Sequence, residues 1–153
     1  MPELRFEPVR PDGGVTVLAD WQHIHNVIIP TAPLSVEDIQ ARAQRNRLTV
    51  AYLKDIPVGC STVRPPADDP QTATVIIRVL PEHRRQGIGQ QMYHQAVSIA
   101  YELGARIIDT VVLASNDDGL RFAERHGFAE IDRYVLDGHT IPFIDLRLAD
   151  ASG

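Results

Sequence analysis

The sequence predicts a single mixed α/β domain spanning residues 1–153, with about seven strands and about four helices. Short runs of β-forming residues alternate with segments whose apolar residues recur at helical spacing, in the order β, α, α, β, β, β, α, β, α, β, β. No internal repeat, low-complexity tract or long linker divides the chain. With 44% hydrophobic and 23% charged residues, the chain is able to bury a sizeable core.

The first elements are one strand and two helices. Residues 4–9 form the predicted first strand, and apolar spacing predicts a helix over residues 14–28 that the segment IIPTAPLS ends. Ser35 is a suitable N-cap for a second helix that runs to about Arg45.

A predicted hairpin and a central strand follow. The segment LTVAYLKDIPVGCSTVR contains two β-forming runs around a tight turn at Lys54 to Pro57, because Pro57 ends the first run. The next segment, PPADDP, reads as a surface loop from its proline and aspartate content. Residues 72–80, TATVIIRVL, are apolar nearly throughout, which predicts a strand covered on both faces.

The second half predicts two helices and three strands. Apolar residues after position 87 recur at helical spacing over about four turns, and Gly104 is a natural helix end. ARIIDTVVL predicts another buried strand, so the unit from Thr72 to Leu113 is expected to be a right-handed parallel crossover. NDDGLRFAERHG predicts a short helix, and FAEIDRYVL and TIPFIDLRL predict two strands around the turn Asp137-Gly138.

Composition excludes several classes of function. The net charge of -5 argues against an extended nucleic-acid surface. Cys60 is the only cysteine, so no intrachain disulfide forms and a reducing, cytoplasmic setting is expected. The start MPELRFEPVR lacks the features of a signal peptide, and no apolar run reaches the roughly 20 residues that span a membrane. His23 and His25 point apart on a helix, so no metal site is predicted.

The segment LPEHRRQGIGQQ, residues 80–91, joins a predicted strand to a predicted helix and has the chemistry of an anion site. The first N–H groups of a helix have no intrahelical partner, and the helix dipole adds roughly half a positive charge there. Gly87 and Gly89 let a ligand approach the main chain, and Arg84 and Arg85 add positive charge. The segment therefore predicts diphosphate binding.

Two other phosphate motifs fit this segment poorly. The dinucleotide fingerprint G-x-G-x-x-G requires glycine at position 92, where the chain has Met92, and no acidic residue suited to a ribose follows at the right distance. The Walker loop G-x-x-x-x-G-K-S/T does not occur in the chain, which excludes the phosphate-loop NTPases.

Residues 84–89, RRQGIG, resemble the Q/R-x-x-G-x-G/A signature of the GNAT N-acetyltransferase superfamily. The family's strand end L-x-V-x-P and its later pattern N-x-x-A-x-x-F-Y-x-x-x-G-F are also matched in register. The matching residues are Ile77, Val79, Pro81, Asn116, Phe122 and Gly127-Phe128. The resemblance implies the GNAT fold, a mostly antiparallel sheet whose parallel central pair splays apart.

The resemblance also implies a site for acetyl-CoA as co-substrate, without a metal. In the family the main chain at the position of Val79 and Leu80 binds the pantetheine arm between the splayed strands, and the loop amides receive the pyrophosphate. Asn116 and Phe122 correspond to the other wall, although Asn116 is equally well a helix cap and Phe122 a core residue. The cofactor-binding residues carried over are Val79, Leu80, Arg84, Arg85, Gln86, Gly87, Ile88, Gly89, Gln90, Asn116 and Phe122.

The implied reaction is direct attack of an amine on the thioester, whose oxygen a main-chain N–H near Val79 polarises. The chain departs from the family at Ala123, where many members have a tyrosine that protonates the CoA thiolate. Ser115, near the expected sulfur, and Tyr134, on a late strand, are the candidate catalytic residues. His25 has a suitable pKa for a base, although a solvated histidine at a helix end is the simpler interpretation.

Two functions stay open at this point. The first is acetylation of the primary amine of a small molecule, with a protein N-terminus or lysine as the alternative acceptor. The second is a non-catalytic acyl-CoA-binding module, which the alanine at position 123 permits. Family members often pair through late strands, so a homodimer is a further expectation.

Overall fold

The computed structural model describes residues 3–11, 14–67 and 71–149, which form one seven-stranded sheet and four α-helices. This confirms the predicted mixed α/β class and the predicted order of elements. The strands are β1 (Leu4–Pro8), β2 (Arg47–Leu53), β3 (Ile56–Ala67), β4 (Thr72–Val79), β5 (Ile107–Leu113), β6 (Phe128–Tyr134) and β7 (Phe143–Leu148). The helices are α1 (Val15–Ile28), α2 (Val36–Arg45), α3 (Ile88–Glu102) and α4 (Asp117–Arg125), and a short 3-10 helix spans Pro81–His83.

The sheet order is β1-β2-β3-β4-β5-β7-β6, and every neighbouring pair is antiparallel except β4 and β5. The parallel pair is in register only from Thr72 opposite Ile107 to Thr74 opposite Asp109. Beyond these positions the two strands are no longer paired, although β4 continues to Val79. The central parallel pair therefore splays apart toward its carboxyl ends.

Helices cover the sheet on both faces. α1 and α2 bury Trp21, Ile24 and Ile39 against β2 and β3, and α2 starts with a capping box between Ser35 and Asp38. α3 and α4 cover the other face, where their alanines pack against β3, β4 and β5. None of the described helices is both long and apolar enough to cross a membrane.

The hairpin of β2 and β3 differs from its prediction at both ends. Pro57 lies in β3 opposite Tyr52, so the turn consists of Lys54 and Asp55 alone. Proline is tolerated at this place because it lies at the start of the strand. β3 also continues to Ala67, so the first half of PPADDP is strand rather than loop, and residues 68–70 lie outside the described residues.

The last two strands are shorter than predicted. β6 ends at Tyr134 and β7 begins at Phe143, so residues 135–142 form a connection rather than a tight hairpin. The predicted turn is present within it, where Gly138 has a φ of 80°. Val135 and Leu136 are apolar but exposed, so they gain no burial by extending the strand.

Candidate active site

A cavity of about 1260 Å³ occupies the gap between the splayed ends of β4 and β5. Its lining comes from both helical layers, because His25 of α1 and Arg42 of α2 share it with Tyr93 of α3 and Phe122 of α4. The cavity thus passes from one face of the sheet to the other. Of the residues predicted from sequence, the lining includes Val79, Arg84, Arg85, Gly87, Gly89, Gln90, Asn116, Phe122 and Tyr134.

The loop before α3 has the backbone geometry of an anion site at one end of this cavity. Arg85 and Gly87 both have left-handed conformations, with φ values of 65° and 80°, and Gly87 is the N-cap of α3. The helix ladder begins where the Gln91 N–H donates to the Gly87 oxygen, 3.2 Å away. Donors of the first helical turn therefore lie beside the cavity. Arg85 is a non-glycine residue at positive φ, so the loop holds it in a strained conformation.

Arg84 is held by the protein itself and links the two sides of the cavity. Its Nε donates to the Val79 oxygen at 3.0 Å, and its Nη1 lies 3.6 Å from Asp118 Oδ2 on α4. Arg121 binds the other oxygen of Asp118 at 2.9 Å. Arg84 therefore positions the end of β4 against α4, whereas Arg85 is exposed and forms no ion pair within the described part of the chain.

Leu80, a predicted cofactor-binding residue, has its main chain bonded to β3. Its N–H donates to the Val58 oxygen at 2.9 Å, so its main chain faces β3 and not the gap. Because donors alternate along an antiparallel strand, Val79 and Ile77 are the residues whose main chain faces β5. The Leu80 side chain is buried in the core beneath α1. Ile77 therefore replaces Leu80 as the second main-chain candidate.

Two further loop residues lie off the cavity wall. Gln86 is exposed, and neither Gln86 nor Ile88 contributes to the lining. The Ile88 side chain is 1% exposed and packs in the core with Met92 and Val58.

Asn116 and Phe122 lie on the α4 side. The Asn116 side chain accepts the Gly119 N–H at 2.9 Å, so it caps α4 and also lines the cavity. The Phe122 ring contacts the His126 ring with a centroid distance of 4.2 Å. Ala123 is buried and also borders the cavity, so no hydroxyl is present at the place of the family tyrosine.

The two candidate catalytic residues are placed differently. Ser115 is exposed in the turn after β5 and does not line the cavity, because the chain turns at Ala114 and Ser115, where the Asn116 N–H donates to the Leu113 oxygen at 2.9 Å. Tyr134 lines the cavity, stacks on Phe143 and donates its hydroxyl to Asp145 Oδ1 at 3.1 Å. Burial and the Asp145 carboxylate raise the pKa of Tyr134, so its hydroxyl holds its proton at neutral pH.

His25 is buried, with 5% exposure, which contradicts the expectation of a solvated histidine. It stacks on Trp21 at 5.4 Å, and its Nδ1 lies 2.9 Å from Asn26 Oδ1. The Asn26 amide is oriented by Leu34, whose N–H donates to Oδ1 and whose oxygen accepts from Nδ2. Because Oδ1 is an acceptor, His25 Nδ1 carries the proton and Nε2 keeps a lone pair.

Burial lowers the pKa of His25 from 6.5 to about 4. The bond to Asn26 raises this pKa in part, and the positive charges of Arg78 and Arg42 lower it further. His25 is therefore a neutral imidazole at physiological pH, with a lone pair on a residue that lines the cavity.

We expect this pKa to be measurable through Trp21, the only tryptophan in the chain. Protonated histidine quenches a stacked indole, so tryptophan fluorescence should fall with a midpoint near pH 4. The contribution of His25 to the free energy of unfolding is fully present above pH 6.5, where its imidazole is neutral in both the folded and the unfolded state. This contribution declines between pH 6.5 and about 4, because only the unfolded state takes up the proton in that range. The expected loss is about 2 kcal/mol after screening. A midpoint near 6.5 would contradict the burial of His25.

Three arginines that line the cavity on the side of His25 were not predicted as site residues. They are Arg42, Arg64 and Arg78. The one signal in the sequence is weak: Arg78 interrupts an otherwise apolar strand. Within the described residues, no group of three or more histidine, cysteine, aspartate or glutamate side chains is arranged to hold a metal ion.

Comparison with solved structures shows the same fold in several acetyltransferases. A candidate phosphinothricin N-acetyltransferase is 23% identical with a TM-score of 0.75, covering 95% of this chain and 98% of that one. YncA of Salmonella typhimurium, solved with its cofactor acetyl-CoA, is 13% identical with a TM-score of 0.75 over 98% of this chain and 95% of that one. The NatC complex bound to Gag peptide and CoA is 16% identical with a TM-score of 0.75 over 95% and 98% of the two chains.

Sequence comparison gives the family directly. No curated protein matches the chain. The profile of the Acetyltransferase (GNAT) family matches residues 14–128, a range that contains the splayed strands, the loop before α3 and all of α4. The chain therefore belongs to the GNAT acetyltransferase family, a family of transferases.

Proposed function

We propose that the protein is an acetyl-CoA-dependent N-acetyltransferase that acetylates the primary amine of a small molecule, and that residues 1–153 form one catalytic domain. The observation that supports this most is the gap between β4 and β5, which pair at only three positions before a cavity opens between them. The cavity has a helix N-terminus at one end and a buried imidazole at the other. A cofactor that carries both a diphosphate and a long linear arm fits such a passage.

The cofactor end is assigned to the loop and its neighbours. The amides between Arg85 and Gln90 receive the pyrophosphate, and the exposed guanidinium of Arg85 adds charge. The pantetheine arm lies along the main chain of Ile77 and Val79, which faces the gap. Phe122 forms the opposite wall. Acetyl-CoA supplies the thioester whose carbonyl carbon is attacked.

The chemistry needs one proton acceptor and little else. The amine nitrogen bonds to the thioester carbon, the carbon–sulfur bond breaks, and the amine proton moves to His25 Nε2. A Val79 N–H directed at the gap stabilises charge on the thioester oxygen. The departing thiolate, with a thiol pKa of about 8.5, needs only modest help near neutral pH. Tyr134 is the remaining hydroxyl donor, although its bond to Asp145 makes it a weak acid.

Two alternatives follow from specific observations. Ala123 removes the family's usual acid, which favours a module that binds acyl-CoA without turning it over. The likeness to the NatC complex, which was solved with a peptide, favours a protein N-terminus as acceptor. The residues that line the cavity around His25, among them Ile29 and Leu34, are buried or half-buried, which favours a small-molecule acceptor over a protein.

The test combines titration and turnover. Acetyl-CoA is titrated calorimetrically into the protein, and thiol release is then followed with mixed small amines and with peptides that have free N-termini. We expect tight binding with thiol release that depends on small amines. Binding without release from any amine would establish the non-catalytic module, and release only with peptides would establish a protein acceptor.

We also propose a cytoplasmic location, which fits the single buried and unpaired thiol of Cys60. A homodimer through β6 is supported by the exposed apolar side chains of Ile131 and Val135 at this edge of the sheet. Size-exclusion chromatography with light scattering tests that assembly.

A further inference from the structure

Three guanidinium groups converge on the His25 end of the cavity from three different elements. Arg42 lies on α2, Arg64 on β3 and Arg78 on β4, and all three line the cavity. Arg64 lies opposite Thr74 in the β3–β4 ladder. Because side chains alternate along a strand, Thr74 and Arg78 lie on the same face of the sheet. Arg64 lies on that face as well, since it is directly opposite Thr74. This is the face that α1 and α2 cover.

None of these arginines forms an ion pair within the described ranges, where the ion pairs all involve other cations. The carboxylate that acts on Arg42 is Asp38, which accepts the Ser35 N–H in the capping box. Burial lowers the pKa of Arg78, and the charges of Arg42 and Arg64 lower it further. Burial first, and then the charges of Arg64 and Arg45, lower the pKa of Arg42. The groups that face this basic wall are the neutral His25, the buried thiol of Cys60 beside Arg78, and the hydroxyl of Tyr134, which donates to Asp145. On α2, the Asp38 carboxylate and the Arg45 guanidinium also act on Arg42.

Like charges that are partly removed from water repel one another and destabilise an empty site. A bound anion removes both penalties, and guanidinium groups form paired hydrogen bonds to planar carboxylates and to phosphates. Arg64 is exposed to water, but Arg42 and Arg78 are partly buried in the cavity wall, where water screens their charges less. The arrangement therefore suits an anionic ligand.

We infer that the acceptor carries an anionic group, a carboxylate or a phosphate, close to its primary amine, and that Arg42, Arg64 and Arg78 bind this group. The inference deepens the proposed function and rests on it. It places the amine beside His25 and the anion against the basic wall, so the two ends of one small molecule are held at once.

Binding of the anion also affects the proposed base. The positive charges of Arg78 and Arg42 lower the pKa of His25. An anion between them offsets these charges and raises the pKa, which makes His25 a stronger base only when the correct acceptor is present. Acceptor recognition and proton removal are then coupled through one group of charges.

The experiment uses matched pairs of amines that differ only in the anion. Amino acids are compared with their carboxamides, and phosphoethanolamine with ethanolamine, so that carboxylate and phosphate are distinguished. Binding without cofactor is followed by the fluorescence of Trp21, which stacks on His25. Turnover is followed by thiol release at saturating acetyl-CoA. We expect the anionic member of a pair to bind and react at least about tenfold better than its neutral partner.

Arg78→Met should remove most of this preference, since a charge-assisted hydrogen bond contributes roughly tenfold to a hundredfold in affinity. Its acetyl-CoA affinity should be unchanged. Arg106→Met is the matched control, because Arg106 is exposed and does not line the cavity. Rescue by Arg78→Lys, which restores charge without the planar fork, is expected to be partial.

The outcomes separate the two proposals. Failure to bind acetyl-CoA overturns the proposed function. The binding of anionic amines, measured by Trp21 fluorescence without cofactor, still tests the basic wall in that case. Equal use of neutral and anionic amines, or unchanged preference in Arg78→Met, overturns the inference while the acetyltransferase assignment stands. Preference for acidic peptides over every small molecule overturns the small-molecule source of the anion.

Discussion

Gly89→Trp is expected to abolish acetyl-CoA binding while the protein stays folded. Gly89 lies in the first turn of α3, and a Cβ built there would lie 3.4 Å from the Phe122 ring and 3.6 Å from the Val79 side chain. These are ordinary contacts, so a Cβ fits at this position, and the rest of a side chain projects between β4 and α4. An indole there occupies the space proposed for the cofactor, and we expect the dissociation constant to rise at least about a hundredfold.

Gly89 is a better position for this test than Gly87. Gly87 has a φ of 80°, so any side chain there strains the backbone by about 1 kcal/mol or more and alters the loop itself. Gly14→Trp is the matched control, because no atom lies within 4 Å of a Cβ built at Gly14. Titration calorimetry gives the affinities and thermal melting gives the fold. A Gly89→Trp variant that binds acetyl-CoA as tightly as wild type would remove the loop from the proposed site.

Much of the fold follows from local patterns in the sequence. The capping residue Ser35 and the left-handed Gly87 act within a few residues of the chain, so their helix starts were predicted correctly. The loop before α3 was recognised because its two arginines and two glycines lie within six residues of the sequence. The splay of β4 and β5 was implied only by the family resemblance, since residues that fail to pair leave no local pattern.

Features set by long-range packing were missed or misplaced. His25 was expected to be solvated because it lies near a helix end, but Trp21 and the segment around Leu34 enclose it. Ser115 lies two residues after the predicted strand, yet the turn at that place carries it away from the cavity. The basic wall was missed because its arginines are distant in sequence, and only strand register and the packing of α2 bring them together.

His25→Phe is expected to lower kcat about a hundredfold without changing acetyl-CoA affinity. Removal of a positioned base costs roughly a hundredfold to ten-thousandfold. Phenylalanine keeps an aromatic ring against Trp21, and Asn26 retains its bonds to Leu34, so the helix and its connection should persist. Steady-state thiol release gives kcat and KM, and calorimetry gives the cofactor affinity. His23→Phe on the exposed side of α1 is the control.

A structural role and a chemical role for His25 predict different results in two further measurements. In wild type, kcat should stay level from neutral pH downward and fall only as His25 binds a proton, near pH 4 in the empty site and higher when an anionic acceptor is bound. His25→Ala leaves space beside Trp21 for added imidazole, which should restore part of kcat if the ring acts as the base. An unchanged kcat in His25→Phe would show that the amine reaches the thioester already deprotonated. In that case the buried imidazole would serve packing against Trp21, and the acceptor site would rely on positioning alone.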